Sequence, residues 1–472
     1  MESHVSSRSG LPCEPARCIA DRWTCHGQQY LAGLISNFGV FCFGATMGWA
    51  LFADQPSSES ARTFIVGKSS RQWTNSLLPL GAACFCMPMG VMMKKHGSKG
   101  LMIFQLLPYT CGWLLVIFAR NVYMVYVGRY LLGICGAALC VAVPVYNVEI
   151  SQLKVRGLMG SMFYGAIVYG IVFANILEHF LGEQLVNIIV LSMALLNCSV
   201  KILPQSPAFY ILHGKLGHAR AALHWLHGNE AIDIEVLAAQ MIMPTEIEEE
   251  HRHKYLCGQK YARLNVPRAS VMLLLYQLSG GVIICGFLRD ILLPFSSVFY
   301  KYEWIVWLAM ILGHLICFLL IDRLGRRLIL VLSAVFMFLA SLYLCTWFQW
   351  LMHTKWNFQP LTALFLFIAS FSFGMGPVSW ILYVELIIEP SRALGCSFAA
   401  TLGWLTASAM VFVYANNLYL QTVFYLMLLV CFVTLIFVVI FIPETQGLTS
   451  LQIQILLSHR SLGDTHSTDS SF

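Results

Sequence analysis

Long uncharged runs of apolar residues recur along the chain, and short polar stretches separate them. One early run, QYLAGLISNFGVFCFGATMGWALF at 29–52, has 24 residues and no formal charge. About 20 apolar residues are enough for a helix to cross the hydrocarbon core of a bilayer. The pattern predicts about twelve membrane spans, at roughly 30–52, 74–93, 101–119, 122–147, 158–178, 184–203, 267–294, 303–321, 328–349, 360–384, 393–417 and 421–442.

The polar stretches between the runs divide the chain into five predicted segments. The distribution of basic residues, described below, sets the side of the membrane that each segment faces. The segments are a cytoplasmic N-terminal segment at 1–28, a six-helix bundle at 29–203, a cytoplasmic linker at 204–266, a second six-helix bundle at 267–442 and a cytoplasmic tail at 443–472.

The linker has its own hydrophobic pattern. Its stretch GHARAALHWLHG spaces Ala219, Ala222, Leu223 and Leu226 as on one face of a helix. We therefore predict short amphipathic helices on the cytoplasmic surface, with a disordered linker as the alternative. Few large apolar residues follow Leu457, so the tail from 453 is predicted to be disordered.

Basic residues are distributed unevenly between the two predicted sides of the membrane. If the N-terminus is cytoplasmic, 21 of the 29 Lys and Arg residues fall in inner segments. The positive-inside rule therefore predicts that both termini lie in the cytoplasm. Nucleic-acid binding is not expected, because these charges sit in short loops between spans rather than on one face.

The two predicted bundles share landmarks in the same order. An acid is followed by an arginine seven residues later in PVYNVEISQLKVRG and again in PVSWILYVELIIEPSRALG. Recurrence at a nearly constant offset indicates a duplicated unit of six helices, the arrangement of one large class of secondary transporters. The pairs and their separations are Glu149 and Glu385 (236), Arg156 and Arg392 (236), Gly97 and Gly325 (228), and Pro204 and Pro443 (239).

Several motifs resemble those of the sugar porter family of the major facilitator superfamily, which includes glucose transporters and insect facilitated trehalose transporters. The resemblance covers about 30–452 and implies an all-α integral membrane protein with twelve transmembrane helices in two six-helix repeats, the major facilitator fold. The matching stretches are GRYLLGICGA (128–137), PVYNVEI (144–150), RGLMGS (156–161), PQSPAFY (204–210), QLSG (277–280), DRLGRR (322–327), GMGPVSW (374–380) and PETQGLTSLQI (443–453).

The same resemblance implies a function. We expect a monomeric carrier in the plasma membrane that moves a sugar, trehalose or a hexose, across the lipid bilayer by alternating access. The alternatives are a diverged carrier of a less polar or non-sugar solute and a transport-deficient sensor. An enzyme is not expected, since Glu149 and Glu385 are each matched with an arginine. Neither a cofactor nor a metal ion is expected, because the 16 cysteines form no CxxC pair.

Charged residues at the inner ends of the spans form a predicted cytoplasmic gate. A charge at the bilayer edge is costly unless it is paired. Glu149 and Arg156 flank one inner turn, Glu385 and Arg392 flank the matching turn, and each acid is interpreted as the partner of the arginine that follows it. Topology anchors without a gating role are the alternative. The predicted gate residues are Glu149, Arg156, Asp322, Arg323, Arg326, Arg327, Glu385, Arg392 and Glu444.

The first half departs from the family pattern at this gate. The family loop between spans two and three reads G-x-x-x-D-R-x-G-R-R/K, whereas this chain has GVMMKKHGSK at 90–99. Lys94 stands at the acid position, Ser98 stands at an arginine position, and Gln205 replaces the glutamate of the PESP motif. The gate is therefore predicted to be weaker in the first half than in the second.

The family resemblance also implies a sugar site between the halves, near mid-membrane. Sugar hydroxyls donate and accept hydrogen bonds, and amide side chains match both roles. Most of the amides of the family are replaced here, for example by Val282, Met310 and Gly403. This loss is why a less polar substrate remains an alternative. The predicted substrate-binding residues are Gln277, Tyr276, Tyr164, Trp380, Trp404 and Ser372.

Proton coupling requires a titratable group deep in a span. The first span has no Asp, Glu or His, and His314 is the ionisable residue deepest in a predicted span. This histidine is either a proton site or a hydrogen-bonded structural residue. Facilitated diffusion is the predicted mode of transport.

Overall fold

The computed structural model describes residues 15–52, 68–228, 265–287, 291, 303–351, 359–387, 389, 391–415, 420–449, 452–453 and 456, and every regular element in these ranges is a helix. Six long helices form the first half, and two short helices follow them. These elements are α1 (Pro15–Phe52), α2 (Lys68–Phe104), α3 (Leu106–Ile117), α4 (Val122–Ile150), α5 (Arg156–Leu181), α6 (Glu183–Asn197), α7 (Pro207–Leu212) and α8 (Leu216–His227).

The second half repeats the order of the first. Its seventh span is described only in part, by two helices on either side of a short turn. The tenth span is divided by a π-helical turn at Phe371–Met375. The elements are α9 (265–278), α10 (Gly281–Gly286), α11 (Glu303–Leu324), α12 (Arg326–Thr346), α13 (Gln359–Ser370), α14 (Gly376–Glu385), α15 (Arg392–Ala415) and α16 (Leu420–Phe441).

Ten helical stretches in the described ranges are long and apolar enough to cross a membrane. One of them, Gln72–Ile117, has 46 residues. A straight helix of that length would measure about 69 Å, more than twice the ~30 Å of a bilayer core. Gly97 interrupts it with non-helical angles, φ 71° and ψ 175°. The stretch therefore contains two of the predicted spans.

Helix packing displays the internal repeat. Within the first half α2 packs along α4, and α3 packs on α4 and α6. Within the second half the corresponding helix α11 packs on α13, and α12 packs on α13 and α16. Between the halves, α2 packs against α15 and α5 packs against α11. The repeat relates α2 to α11 and α5 to α15, so the same interface occurs twice.

The glycines between the second and third predicted spans of each half adopt similar conformations. Gly97 has φ 71° and ψ 175°, and Gly325 has φ 88° and ψ 164°. This region of φ and ψ is open essentially only to glycine. A Cβ atom would overlap the Gln205 amide at Gly97 and the Glu444 carboxylate at Gly325. The turn and its polar neighbour thus recur together.

The helix α8 lies within the predicted linker and contacts α1. Its four predicted apolar residues are all buried, namely Ala219, Ala222, Leu223 and Leu226. The rest of the linker at 229–264 and the predicted disordered end of the tail lie outside the described residues, apart from isolated positions up to 456.

Substitution of Gly325 by Ala is expected to destabilise the fold more than substitution of Gly182. Gly182 has nearly the same conformation, φ 75° and ψ 163°, but a Cβ atom added there would have nothing within 4 Å. Gly182→Ala should cost about 1–3 kcal/mol from backbone strain alone. In Gly325→Ala the new Cβ atom would also displace the Glu444 carboxylate. The loss of the hydrogen bonds that this carboxylate accepts would cost about 1–3 kcal/mol more. Thermal unfolding in detergent micelles measures the difference, and equal losses would contradict a role for the glutamate.

Candidate functional site

A buried guanidinium joins two carboxylates at one end of the second half. Arg326 lies 3.1 Å from the Asp322 carboxylate and 3.3 Å from the Glu385 carboxylate. The side chains of Arg326 and Glu385 are each 1% exposed. At such burial an uncompensated charge would be strongly destabilising, so the three groups act as a unit. We call these residues, with Glu149 and Arg392, the ion-pair cluster.

Asp322 also binds the first half. Its two carboxylate oxygens accept the backbone N–H groups of Gly157 (3.0 Å) and Leu158 (2.8 Å) at the start of α5. A helix N-terminus carries partial positive charge and unsatisfied N–H groups, which favour an anion there. The close approach requires a glycine, because a Cβ atom at Gly157 would overlap the carboxylate. One aspartate therefore caps a helix of the opposite half.

A second ion pair crosses between the halves in the other direction. Arg392, at the start of α15, lies 3.4 Å from Glu149 of the first half and 3.1 Å from Glu389. The prediction that each acid pairs with the arginine seven residues later is therefore wrong. The acid ends one helix and the arginine begins the next, and that next helix faces the opposite half. Arg156 likewise reaches across, donating to the Leu448 carbonyl at 3.4 Å.

Glu444 has a different role from the ion pairs. Its carboxylate accepts the backbone N–H groups of Arg326 (2.9 Å) and Arg327 (3.0 Å), and so caps the start of α12. In the first half the uncharged amide of Gln205 has the corresponding role beside Gly97. Its amide accepts from the Lys99 N–H at 3.0 Å and donates to the His96 carbonyl at 2.7 Å.

The remaining predicted gate residues lie at the edge of the cluster. The Arg327 guanidinium donates to the Val439 carbonyl. Arg323 is exposed and has no ion pair in the described part of the chain. Sequence reasoning missed Glu389, although its spacing of three residues from Arg392 is a recognised pairing distance on helical turns. It also missed Thr445, whose hydroxyl donates to Glu385, and no sequence signal indicated that contact.

A cavity of about 100 Å³ lies between the two halves. Both halves contribute to its wall, and eleven of the sixteen lining side chains are apolar. Three of the predicted substrate-binding residues line it, namely Tyr164, Tyr276 and Trp404. The other lining residues are Met47, Asn75, Leu78, Pro79, Arg129, Ile167, Val168, Ile171, Phe287, Met310, Phe371, Ala407 and Val411.

Tyr164 and Ser372 bond to each other across the halves, with 2.9 Å between their hydroxyl oxygens. Ser372 lies in the π-helical turn. Pro377 has no N–H to offer the preceding turn of helix, which weakens the regular helix there. Ser333 supports the irregular turn, because its hydroxyl donates to the Ser370 carbonyl (2.7 Å) and accepts from the Met375 N–H (3.0 Å). The irregular turn thus presents Ser372 to the opposite half.

Trp380 and Gln277 are buried beside the cavity rather than lining it. The Trp380 ring lies 4.9 Å from the Phe163 ring and 5.9 Å from the Tyr276 ring, centroid to centroid. Gln277 directly follows Tyr276 in the chain and is 3% exposed. Its Oε1 atom has no hydrogen-bond partner among the described residues. A buried amide oxygen without a partner is destabilising unless a bound group supplies the donor.

Arg129 lines the cavity but is held by the protein. Its guanidinium donates to the carbonyls of Thr46 (2.9 Å) and Thr74 (3.3 Å) and lies 5.1 Å from the centre of the Trp49 ring. Carbonyl acceptors and a cation–π contact stabilise the charge. These bonds also tie α4 to α1 and α2, which is a structural role.

His314 bridges the two halves through both ring nitrogens. Nε2 lies 3.1 Å from the Ser161 carbonyl, and Nδ1 lies 2.8 Å from the Tyr169 hydroxyl. A carbonyl only accepts, so Nε2 carries a hydrogen, and in the neutral imidazole Nδ1 then accepts from the Tyr169 hydroxyl. The two bonds join α11 to α5.

The chain matches the family described as "Sugar (and other) transporter" over residues 29–457. It belongs to the sugar transporter family. The fruit-fly protein named Glucose transporter type 3 (Drosophila melanogaster) is 36% identical over 437 residues, which cover 90% of this chain and 85% of that protein. The silkworm Facilitated trehalose transporter Tret1 (Bombyx mori) is 26% identical over 98% of this chain and 92% of its own length.

A solved structure supports the fold. The proton:xylose symporter XylE, bound to 6-bromo-6-deoxy-D-glucose, superimposes with a TM-score of 0.77 at 17% identity and covers 92% of this chain and 100% of its own. The predicted fold class is confirmed: the chain is an all-α membrane protein of the major facilitator fold, and the predicted twelve transmembrane helices in two six-helix repeats are consistent with that fold.

Removal of the Arg326 guanidinium is expected to destabilise the protein strongly. Arg326→Ala leaves Asp322 and Glu385 without their shared cation, and breaking a buried pair from one side costs about 3–5 kcal/mol. Arg323→Ala is the matched control, because that side chain is exposed. Its effect should stay within about 0.5 kcal/mol. Thermal unfolding in micelles compares the two, and a similar small effect of both variants would show that the cluster is energetically unimportant.

Proposed function

We propose that this protein is a carrier that moves a hexose or trehalose across the membrane by alternating access. The observation that carries the proposal is the cavity between two helical halves, which cross-half bonds close off at one end. Rigid-body movement of one half against the other around a fixed central site is the usual mechanism for such an architecture. The names of the fruit-fly and silkworm relatives support a sugar as the cargo.

In this mechanism the ion-pair cluster is the gate on one face. Closing that face requires Arg392 to meet Glu149 and Asp322 to cap α5, and opening it breaks both contacts. The excess of Lys and Arg in the loops supports the assignment of this face to the cytoplasm. We also propose that the segments 1–28, 204–266 and 443–472 are cytoplasmic and that the carrier is a plasma-membrane monomer.

The proposed sugar contacts combine one amide with hydroxyl and aromatic groups. The unpartnered Oε1 of Gln277 accepts a sugar hydroxyl, and Tyr164, Tyr276 and Ser372 exchange hydrogen bonds with others. Trp380 and Trp404 supply apolar ring faces for the sugar ring. The bond between Tyr164 and Ser372 is then one that the substrate breaks or extends when the halves move.

Transport is proposed to be facilitated diffusion. Proton coupling needs a group that gains and loses a proton during the cycle. Both nitrogens of His314 already have partners in the protein, and a positive charge there would reverse the bond with the Tyr169 hydroxyl, so that Nδ1 donates to it. These two bonds support a structural role for the histidine.

Uptake by the purified protein in liposomes tests the sugar assignment. Labelled glucose or trehalose should enter saturably, and a protonophore should leave the rate unchanged. Gln277→Leu should weaken apparent sugar affinity about tenfold, because one hydrogen bond in a buried site is worth about 1–1.5 kcal/mol. Gln421→Leu changes an exposed glutamine that does not line the cavity, and it is the matched control.

Saturable uptake of neither sugar by folded protein would refute the sugar assignment. Acceleration by an inward proton gradient, abolished in His314→Gln, would refute facilitated diffusion instead. An equal affinity loss in the variants at Gln277 and Gln421 would remove the amide from the site while leaving the carrier assignment intact.

A carrier of a less polar solute is the second candidate. Most of the cavity wall is apolar, which favours this candidate. A solute with few hydroxyl groups would leave few polar groups of the wall without a hydrogen-bond partner. Competition against labelled glucose distinguishes the two. If sugar hydroxyls are recognised, deoxyglucose isomers should compete at least about tenfold more weakly at the recognised positions. Equal or stronger competition by every deoxy isomer would favour the less polar cargo.

A further inference from the structure

A second cavity, of about 260 Å³, lies beside Glu149 on the face that carries the ion-pair cluster. Four parts of the chain meet there: α2 around Gly97, the end of α4, the short helix α7, and the turn that leads into α15. Its wall therefore contains residues of both halves, and the cavity exists only while the halves meet on this face. It is separate from the cavity that contains Tyr164.

The repeat shows what fills the equivalent space in the second half. Residue 98 corresponds to Arg326 and Glu149 corresponds to Glu385, by the offsets of 228 and 236 residues. The Arg326 guanidinium lies against Glu385. In the first half Ser98 stands at the arginine position. The cavity thus lies where a guanidinium is missing.

Ser98 itself carries an unsatisfied polar group. It lines the cavity, is 3% exposed, and its hydroxyl has no hydrogen-bond partner among the described residues. Nearly all buried hydroxyls in proteins have a partner, either within the chain or in a bound molecule. The Ser98 hydroxyl is thus a polar group on the cavity wall that is available to an occupant.

The charges of the wall favour a cation. The side chains of Glu149 and Glu389 are 7% and 12% exposed, and one guanidinium, that of Arg392, contacts both. Two buried carboxylates against one buried cation leave negative charge. Lys94 and His213 also line the cavity, but both are exposed, and neither forms an ion pair in the described part of the chain.

We propose that this cavity binds a small solute bearing a guanidinium group, which replaces the missing arginine. A carboxylate such as that of Glu149 matches the planar, forked donors of a guanidinium better than it matches a compact ammonium. The Phe209 ring lines the cavity and lies 4.1 Å from the His213 ring, centroid to centroid, with the two planes tilted by 35°. It supplies the flat aromatic surface on which guanidinium groups stack.

Methylguanidinium chloride is the probe, and the full-length protein in detergent micelles is the sample. Thermal unfolding is followed by tryptophan fluorescence at increasing millimolar concentrations. Sodium chloride at equal ionic strength and the neutral isostere urea are the reference solutes. Binding to the folded state should raise the unfolding midpoint saturably by about 1–3 °C, whereas neither reference solute should do so.

Three variants locate the effect. Ser98→Arg supplies a tethered guanidinium, so it should raise the midpoint by itself and abolish the response to the probe. Ser98→Ala keeps the cavity and its carboxylates but loses the hydroxyl, so the response should persist with an affinity lowered by less than about tenfold. Glu149→Gln should weaken the apparent affinity at least about tenfold, and Glu389→Gln replaces it if that variant does not fold.

No saturable response of the natural chain would overturn the proposal. So would an equal response to urea or sodium chloride, or an undiminished response in Ser98→Arg. Retained affinity in both glutamate variants would also overturn it, since the probe would then bind elsewhere.

Discussion

The rest of the structure depends on the neutralisation of charges that are buried at one edge of the membrane. Arg326 and Glu385 are almost completely enclosed, and neither is tolerable alone at that depth. Asp322 completes the unit and at the same time binds the start of a helix from the opposite half. Because the same carboxylate satisfies an arginine and two backbone amides, local charge balance and contact between the halves cannot be separated.

The central cavity follows from this constraint. Once the halves meet at the ion-pair cluster, α5 lies against α11, and α14 lies against α4 and α5. Tyr383 then donates to the Cys140 carbonyl at 2.6 Å, and Tyr164 meets Ser372. Hydroxyl groups thus continue the contact from the charged edge toward the interior. The space that remains is bounded by aromatic rings and aliphatic side chains.

Sequence reasoning reached the architecture because its signals are local or periodic. Long apolar runs, the repeated acid and arginine, and the glycines at 97 and 325 each have a physical meaning that a single sequence reveals. It failed on pairing, because the partner of Glu149 depends on which way α15 faces. The cavity wall was equally hidden, since Met47 and Val411 lie far apart in the chain and look like ordinary apolar residues.

The unequal halves have a mechanical consequence. On one side of the closed face lie a compact set of buried charges, a helix cap and the Glu444 carboxylate. On the other side Ser98 and Lys94 replace the corresponding arginine and aspartate, and a void takes their place. The two edges therefore hold the closed face in different ways: the contact of α5 with α11 carries the buried charges, whereas the contact of α2 with α15 borders the void.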